Sequence, residues 1–490
     1  MKPYAAAAYA CGMALIGAAL LLGIFEPLAA MTRLVPLDPN EGWNAFFAQA
    51  AVGGGDLYPP PGSLIVNNYP PLSFFIVGAL GWVFGDNIFA GRWVALLSMT
   101  AVAVNLFLWL RATGSEARIA WLGAAVFAAV AVTYGRPYAA INDPQWLAHA
   151  IMTTGLVVLW RGGASRGALA FGALILLTGG WTKHLLVPIP IAVTWWLSRK
   201  SRPALLAWMG WAALFLTVLS LLTWWRFGMA FFDSLRSARA YSVHQAIKET
   251  GRAMKWFAPI IAPSLLLMLP RLSSEKVQFA VAYLLVAALV AMAAAGGIGV
   301  DINAFFDLMI ASSLCAALAV ETLWETRLAV RWPSYEAGSV LVLLLGGYLG
   351  ARAMSLLPGA LQEYRGLDAL EQETAVFTRL IAEQGKGRAA CETPELCYWA
   401  KSPFTFDFFN YGQRLFVGAA TLSGCASLFD GRTFPLLQLD PNKGRPGSFQ
   451  LPAACNAVIE RNFRPILTSR LGVLLVPRSS PELRVSMPLP

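Results

Sequence analysis

Apolar runs separated by short polar turns fill the first 357 residues, and this pattern admits one class of fold. Runs near 6–30, 88–110, 119–135, 145–160, 167–182, 185–198, 204–225, 256–270, 277–296, 303–320 and 337–357 each read as a helix surrounded by hydrocarbon. A core ~30 Å thick needs ~20 apolar residues in helical form, because lipid offers no partner to an open backbone. The expectation is a polytopic α-helical membrane protein with about 11 transmembrane helices. The runs 167–182 and 185–198 are short for spans, and a re-entrant hairpin is a second reading of them. Composition agrees: 57% of residues are hydrophobic and 13% are charged, about half the charged share of a soluble domain. Intrinsic disorder, a coiled coil and an ordinary soluble enzyme are thereby excluded.

The net charge is +10. No basic run interleaved with aromatics suggests nucleic acid, so the excess is read as positive charge at cytoplasmic helix ends. With the N-terminus inside, Arg111, Arg118, Arg161, Arg166, Arg199, Lys200, Arg202, Arg271, Lys276, Arg327 and Arg331 all fall in inner loops. Arg33, Arg136 and Lys183 fall outside, as does the basic loop 226–255, which reads as amphipathic and surface-lying. A span at 72–85 would put the arginine pairs outside, so that stretch reads as an interfacial or half-inserted helix. The first run reads as an uncleaved anchor, since Leu28-Ala29-Ala30 is a poor cleavage site. The protein is therefore expected in the inner (plasma) membrane as a multi-pass chain.

Near residue 358 the texture changes: charges return and apolar runs shorten to strand length. Residues 1–357 read as a membrane domain with an outer loop over 33–87, and 358–490 as a small extracytoplasmic C-terminal α/β domain. An oxidising compartment suits its cysteines, with Cys391–Cys397 and Cys425–Cys455 the expected pairs. Cys11 and Cys315 read as inert. The aromatic segment Tyr398–Tyr411 reads as the core of this domain, with sugar stacking as the competing reading.

Chemistry is concentrated after the first helix, in LDPNEGWNAFFAQAAVGGGDLYPPPGSLIVNNYPPLSFF. Asp38 and Glu41 lie three residues apart on what Pro39 marks as a helix start, so they can share a face. Helix capping by Asp38, with Glu41 as a first-turn acid, accounts for the pair without function. It does not account for the long Gly- and Pro-rich loop that follows, with Asn68 and Tyr69.

The order of acidic loop, Gly-rich turn, Leu57-Tyr58, Tyr69-Pro70-Pro71-Leu72 and Gly85 to Gly91-Arg92 resembles membrane glycosyltransferases of the GT-C class. Their relatives include protein O-mannosyltransferases and lipid A aminoarabinose transferases. The chain is most similar to the bacterial dolichyl-phosphate-mannose-protein mannosyltransferase-like group. The likeness reaches about residue 320 and is most specific over 37–92. It implies transfer of a sugar from a polyprenyl-phosphate donor to an acceptor hydroxyl on a glycan, lipid or protein, usually with inversion, by a first-loop carboxylate base. Many members read Asp-Glu where this chain has Asn40-Glu41, which leaves the base open between Glu41 and Asp38.

Other groups on the same side are substrate-binding candidates. The resemblance points to Asp143 for the acceptor or a metal, and to Asn303 for sugar or phosphate. Lys183-His184 at an apolar hairpin suggests a phosphate partner, and Arg92 is a candidate for the same phosphate; an interfacial anchor is the alternative for both cations. His149 and His244 read as structural. No motif for a built-in metal is present, although a divalent cation shared by Asp38, Glu41 and Asp143 is conceivable. Walker A, dinucleotide and Gly-x-Ser-x-Gly motifs are missing. A transporter or flippase of a lipid-linked sugar is the alternative function; the loop-borne acids and the lack of inverted repeats speak against it.

Overall fold

The computed structural model describes residues 2–237, 239–325, 334–440 and 451–481. Arg327 and Arg331, expected in an inner loop, lie outside the described residues. The membrane part is built from α1 (Pro3–Ala30), α2 (Pro39–Gly53), α3 (Leu72–Phe84), α4 (Asn87–Ala112), α5 (Ala117–Thr133), α6 (Gln145–Gly162) and α7 (Arg166–Gly180). It continues through α8 (Pro188–Lys200), α9 (Arg202–Phe227), α10 (Met229–Leu235), α11 (Val243–Met268), α12 (Glu275–Ala294) and α13 (Phe306–Glu325) to α14 (Ser334–Gln384). Among the described residues, seven helical stretches are long and apolar enough to cross a membrane.

α13 is the axis of the bundle. Of its most apolar window 83% is buried, against 6% for α9 at the rim. An axial helix must neutralise its polar groups internally. Glu321 pairs with Lys276 of α12 at 2.6 Å. Asp307 accepts the Tyr283 hydroxyl at 2.6 Å and faces His149 Nε2 of α6 at 3.3 Å. His149 is fully buried in this network.

α3 does not traverse the bundle. The Leu72 N–H donates to Trp181 O beyond the end of α7, and Asp86, after the other end of α3, accepts from Trp399 of the C-terminal domain. Both ends thus lie on one side, and Trp82 and Val83 stay 75% and 80% exposed, as an interfacial helix requires. α7 and α8 do traverse it. Lys183 sits in their turn at one end; at the other, Trp196 of α8 stacks on Trp160 of α6 at 4.8 Å and donates to Glu275 at 2.6 Å.

The basic segment 226–255 is largely helical. α9 runs to Phe227, α10 follows, and the Ser242 hydroxyl caps α11 by accepting from Gln245 N–H, so α11 starts at Val243. Its first turns are polar and carry Lys248, Arg252 and Lys255 before the apolar part begins.

α14 is one 51-residue helix that passes unbroken through 357–358 with Pro358 inside it, about 76 Å at 1.5 Å per residue. It carries β1 (Ala390–Cys391), α15 (Pro394–Trp399), α16 (Phe408–Phe416), α17 (Leu422–Leu428), β2 (Leu437–Leu439), α18 (Ala453–Asn462), β3 (Phe463–Ser469) and β4 (Gly472–Pro477). The sheet order is β1-β2-β4-β3, with β1 parallel to β2 and β4 antiparallel to both its neighbours. Disulfides join Cys391 to Cys397 and Cys425 to Cys455, while Cys11 and Cys315 are free. Phe406, Phe408, Tyr411, Phe429 and Phe434 form one buried cluster, so the aromatic segment is largely domain core.

α1 and α14 meet backbone to backbone. A Cβ on Gly346 would lie 2.4 Å from Gly12 O, and a Cβ on Gly12 would lie 2.6 Å from Val342 O; small residues allow such approach between membrane helices. Gly12→Leu should therefore lower stability by about 1–3 kcal/mol. Gly17→Leu, on the same helix but with nothing within 4 Å of the new Cβ, should leave it unchanged. Thermal unfolding of the two variants in detergent checks this.

Candidate functional site

The site grows from the end of α1 and the start of α2. A helix end leaves carbonyls without partners, and here one guanidinium collects them. Arg92 of α4 donates from Nη1 to Ala30, Met31 and Arg33 carbonyls and from Nη2 to Val35 O at 2.7 Å. Its remaining donors grip Glu41 in a fork, Nε to Oε1 at 2.8 Å and Nη2 to Oε2 at 2.7 Å. Both side chains are fully buried. Glu41 Oε1 also accepts the Asn142 N–H at 3.0 Å. Gly91 makes room for this, since a Cβ there would lie 1.9 Å from Asn142 Oδ1.

This geometry bears on two expectations. The Glu41 carboxylate, expected as a base, is held by Arg92, by the Asn142 N–H and by the Leu37 N–H at 3.4 Å. Arg92, expected at a lipid phosphate, spends its N–H groups on Glu41 and on four carbonyls.

Asp38 is different. It caps α2 through one oxygen, accepting the Asn40 N–H at 2.9 Å, and is only partly buried. Burial, aided by the negative charges of Glu41, Asp143 and Asp301, pushes its carboxyl up to about 6 against the pull of the Asn40 N–H. The Tyr138 hydroxyl is raised well above its ordinary value by burial and by Asp38, Asp143 and Asp301. These groups come from separate interhelical segments, and their mutual influence marks them as neighbours.

Asp143 leads into α6, its Oδ1 accepting the Gln145 N–H at 2.8 Å. Lys183 Nζ lies 3.4 and 3.5 Å from its two oxygens and 3.2 Å from the Tyr69 hydroxyl. Burial opposes the Lys183 charge, but Asp143 and Tyr69 outweigh it and hold the ammonium above its ordinary value. Next door, burial together with Lys183 and Arg239 draws His184 down to about 4, leaving a neutral imidazole whose Nδ1 has no hydrogen-bond partner among the described residues. Gln145 Nε2 reaches the Asn303 carbonyl at 3.3 Å, which brings the turn before α13 to the cluster.

Tyr69 is placed by packing and by its backbone. Trp43 of α2 meets its ring at 5.1 Å, Asn67 Oδ1 accepts its N–H at 3.0 Å, and Tyr58 donates to its carbonyl at 2.9 Å. Asn67 is the fully buried member of the Asn pair, while Asn68 is partly exposed beside it.

The structure thus gathers Asp38, Tyr69, Asp143, Lys183, His184 and Asn303, and assigns Glu41 and Arg92 to the frame. Sequence reasoning missed Tyr138, Gln145 and Arg239. Tyr138 and Gln145 were legible only as part of RPYAAINDPQW, and Arg239 carried no motif. The conceivable cation site of Asp38, Glu41 and Asp143 does not form, because Glu41 belongs to Arg92. Among the described residues no group of three or more His, Cys, Asp or Glu side chains is placed to hold a metal.

A helical membrane bundle with the acidic segment after its first helix packed against a C-terminal α/β domain has the architecture of the GT-C membrane glycosyltransferases, and the chain shares that fold. In particular it is similar to ArnT from Cupriavidus metallidurans in the apo state, with a TM-score of 0.57 at 13% identity over 94% of this chain and 96% of that one. ArnT bound to undecaprenyl phosphate gives 0.55 at 14% identity, covering 95% and 98%. An oligosaccharyltransferase from Archaeoglobus fulgidus gives 0.46 at 12% identity, covering 90% and 69%. No family model and no curated protein sequence matches the chain.

The frame can be tested apart from any activity. Glu41→Gln or Arg92→Met each leaves a buried partner uncompensated and should cost about 3–5 kcal/mol of stability. The double change Glu41→Met with Arg92→Leu removes both charges and should recover part of that loss. Unfolding midpoints of the three proteins in detergent decide it.

Proposed function

We propose that this protein is a membrane glycosyltransferase that moves a sugar from a polyprenyl-phosphate donor to an acceptor hydroxyl, with inversion, using Asp38 as general base. The observation that carries the proposal is the meeting of a partly buried carboxylate with raised proton affinity and the Asp143–Lys183–Tyr69 cluster, at one end of a GT-C bundle. The similar ArnT structure holds undecaprenyl phosphate, which supports a lipid-phosphate donor for this chain. The loop charges support an outer-face site, an extracytoplasmic C-terminal domain and an inner-membrane location, with the chain crossing about eleven times.

In this reading the acceptor hydroxyl attacks the anomeric carbon while Asp38 takes its proton. The bond from the anomeric carbon to the phosphate oxygen breaks on the opposite face, and the electron pair leaves with the lipid phosphate. Negative charge grows on that phosphate, where the Lys183 ammonium can stabilise it. The long Lys183–Asp143 contacts leave the ammonium able to turn to a stronger acceptor. Asp143, Tyr69, Asn68 and the turn at Asn303 then orient the sugar and the acceptor. Neutral His184 donates or accepts a hydrogen bond there without adding charge.

A base with a carboxyl near 6 is half-charged at that pH and fully charged above it, so transfer should rise with pH through about 6 and fall below it. Asp38→Asn should lower transfer by about 10²–10⁴-fold and abolish this acidic limb. Asn caps helices as well as Asp does, and it removes a carboxylate held in unfavourable surroundings, so the variant should unfold no earlier than the wild type at pH 8. The measurement is sugar transfer from a radiolabelled polyprenyl-phosphate sugar in nanodiscs across pH 5–8. Full activity in Asp38→Asn would overturn the assignment of the base.

A further inference from the structure

A concavity lies beside the 57–69 loop, lined by none of the residues placed above around Asp38 and Lys183. It has a volume of about 250 Å³ and is walled by Pro59–Val66, by α10 with Asp233, Ser234 and Ser237, and by α16 with Asn410 and Arg414. The walls are held rigidly. Arg414 Nη1 donates to Ser63 O at 2.8 Å, Asp407 N–H donates to Leu64 O at 3.0 Å, and Gln413 Oε1 accepts the Ala240 N–H at 3.1 Å. Below them Tyr58 packs on Phe227 and Phe231, with ring centres 4.9 and 5.2 Å away.

We infer that this groove binds a short stretch of neutral glycan, the acceptor of the transfer reaction. The chemistry of the walls selects the occupant. Pro59, Pro60 and Pro61 have no N–H, and the Ser63 and Leu64 carbonyls are already taken, so this part of the loop offers an extended peptide fewer backbone groups to pair with. The lining joins the three prolines and other apolar side chains to three serines, Asn410, one acid and one base. Asn410 gives its amide N–H to Asp407 Oδ2 at 2.6 Å, which directs its carbonyl to accept from a ligand. Asp233 and Arg414 carry opposite charges in the same groove, so an isolated phosphate gains from one and loses to the other. A sugar ring has the matching surface: C–H faces for the prolines, and hydroxyls that donate to Asp233 and Asn410 and accept from Arg414 and the serines. The volume is below the about 300–1,000 Å³ of drug-sized ligand sites, which suits a few hexose atoms of an extended glycan and not a lipid chain.

The groove is also tied to the base-bearing helix. Trp43 of α2 donates to Asp407 Oδ2 at 3.2 Å, and Asp407 Oδ1 accepts the Asn410 N–H at 2.9 Å. Occupancy at α16 therefore bears on the helix that begins at Asp38. The role as acceptor site rests on the sugar-transfer reading; the nature of the occupant does not.

The test uses the full chain in its own membrane, with Ser234 replaced by p-benzoylphenylalanine and irradiated. A covalent adduct whose added mass is removed by periodate or glycosidases, and not by proteases, is expected. Asp233→Asn should reduce its yield several-fold, and Ala419→Trp, at an exposed wall position, should reduce it at least tenfold. A protease-sensitive adduct, a lipid adduct, no adduct, or an adduct unchanged in Ala419→Trp would overturn the inference. In nanodiscs, Ala419→Trp should raise the acceptor KM at least tenfold while donor hydrolysis by water is unchanged. A glycan adduct in a protein that turns over no donor would leave the groove standing and remove the transferase reading instead.

Discussion

The buried fork between Arg92 and Glu41 is the contact on which the site depends. An ion pair with no access to water survives only if every donor and lone pair is matched. Arg92 achieves this by taking the carbonyls that α1 leaves at its end, together with the carboxylate at the first turn of α2. One side chain of α4 thereby sets the direction in which the chain leaves the membrane and the point at which α2 begins. Asp38 is the cap of that helix, so its position follows from the pair.

Two carboxylates one helical turn apart consequently have opposite fates. Glu41 is neutralised by a guanidinium and a backbone N–H. Asp38 has one backbone N–H and a surrounding of like charge, and its proton affinity is raised. The same division recurs among the cations. Arg92 is saturated, whereas Lys183 is held by longer contacts to Asp143 and by Tyr69.

The C-terminal domain is part of this construction. α15 lies so close to α2 that a Cβ on Gly42 would sit 2.2 Å from the Glu395 nitrogen, and Trp43 reaches Asp407. Its aromatic residues mostly build its own core, but α16 touches the 57–69 loop, the segment before α11 and the turn at Gly299. The domain therefore braces three interhelical segments that have no helix of their own to fix them.

The membrane architecture was legible in the sequence because lipid imposes one rule on every spanning segment: apolar side chains outside and backbone bonds closed within. That rule marked the helices, the interfacial character of 72–84 and the change of texture near 358. It did not mark the polar start of α11, where a capping serine and not hydropathy decides the boundary. The segment 37–92 also announced itself as the chemical part of the chain, since costly residues gathered there. What sequence alone determined, then, is the solvent of each segment and the neighbourhood of the site. Which acid is locked in an ion pair, which cation is bound in the frame, and the groove between α10 and α16 were decided by tertiary structure alone. The role of a charged group depends on the partners that reach it, and for Glu41 those partners stand 51 and 101 residues away in the chain.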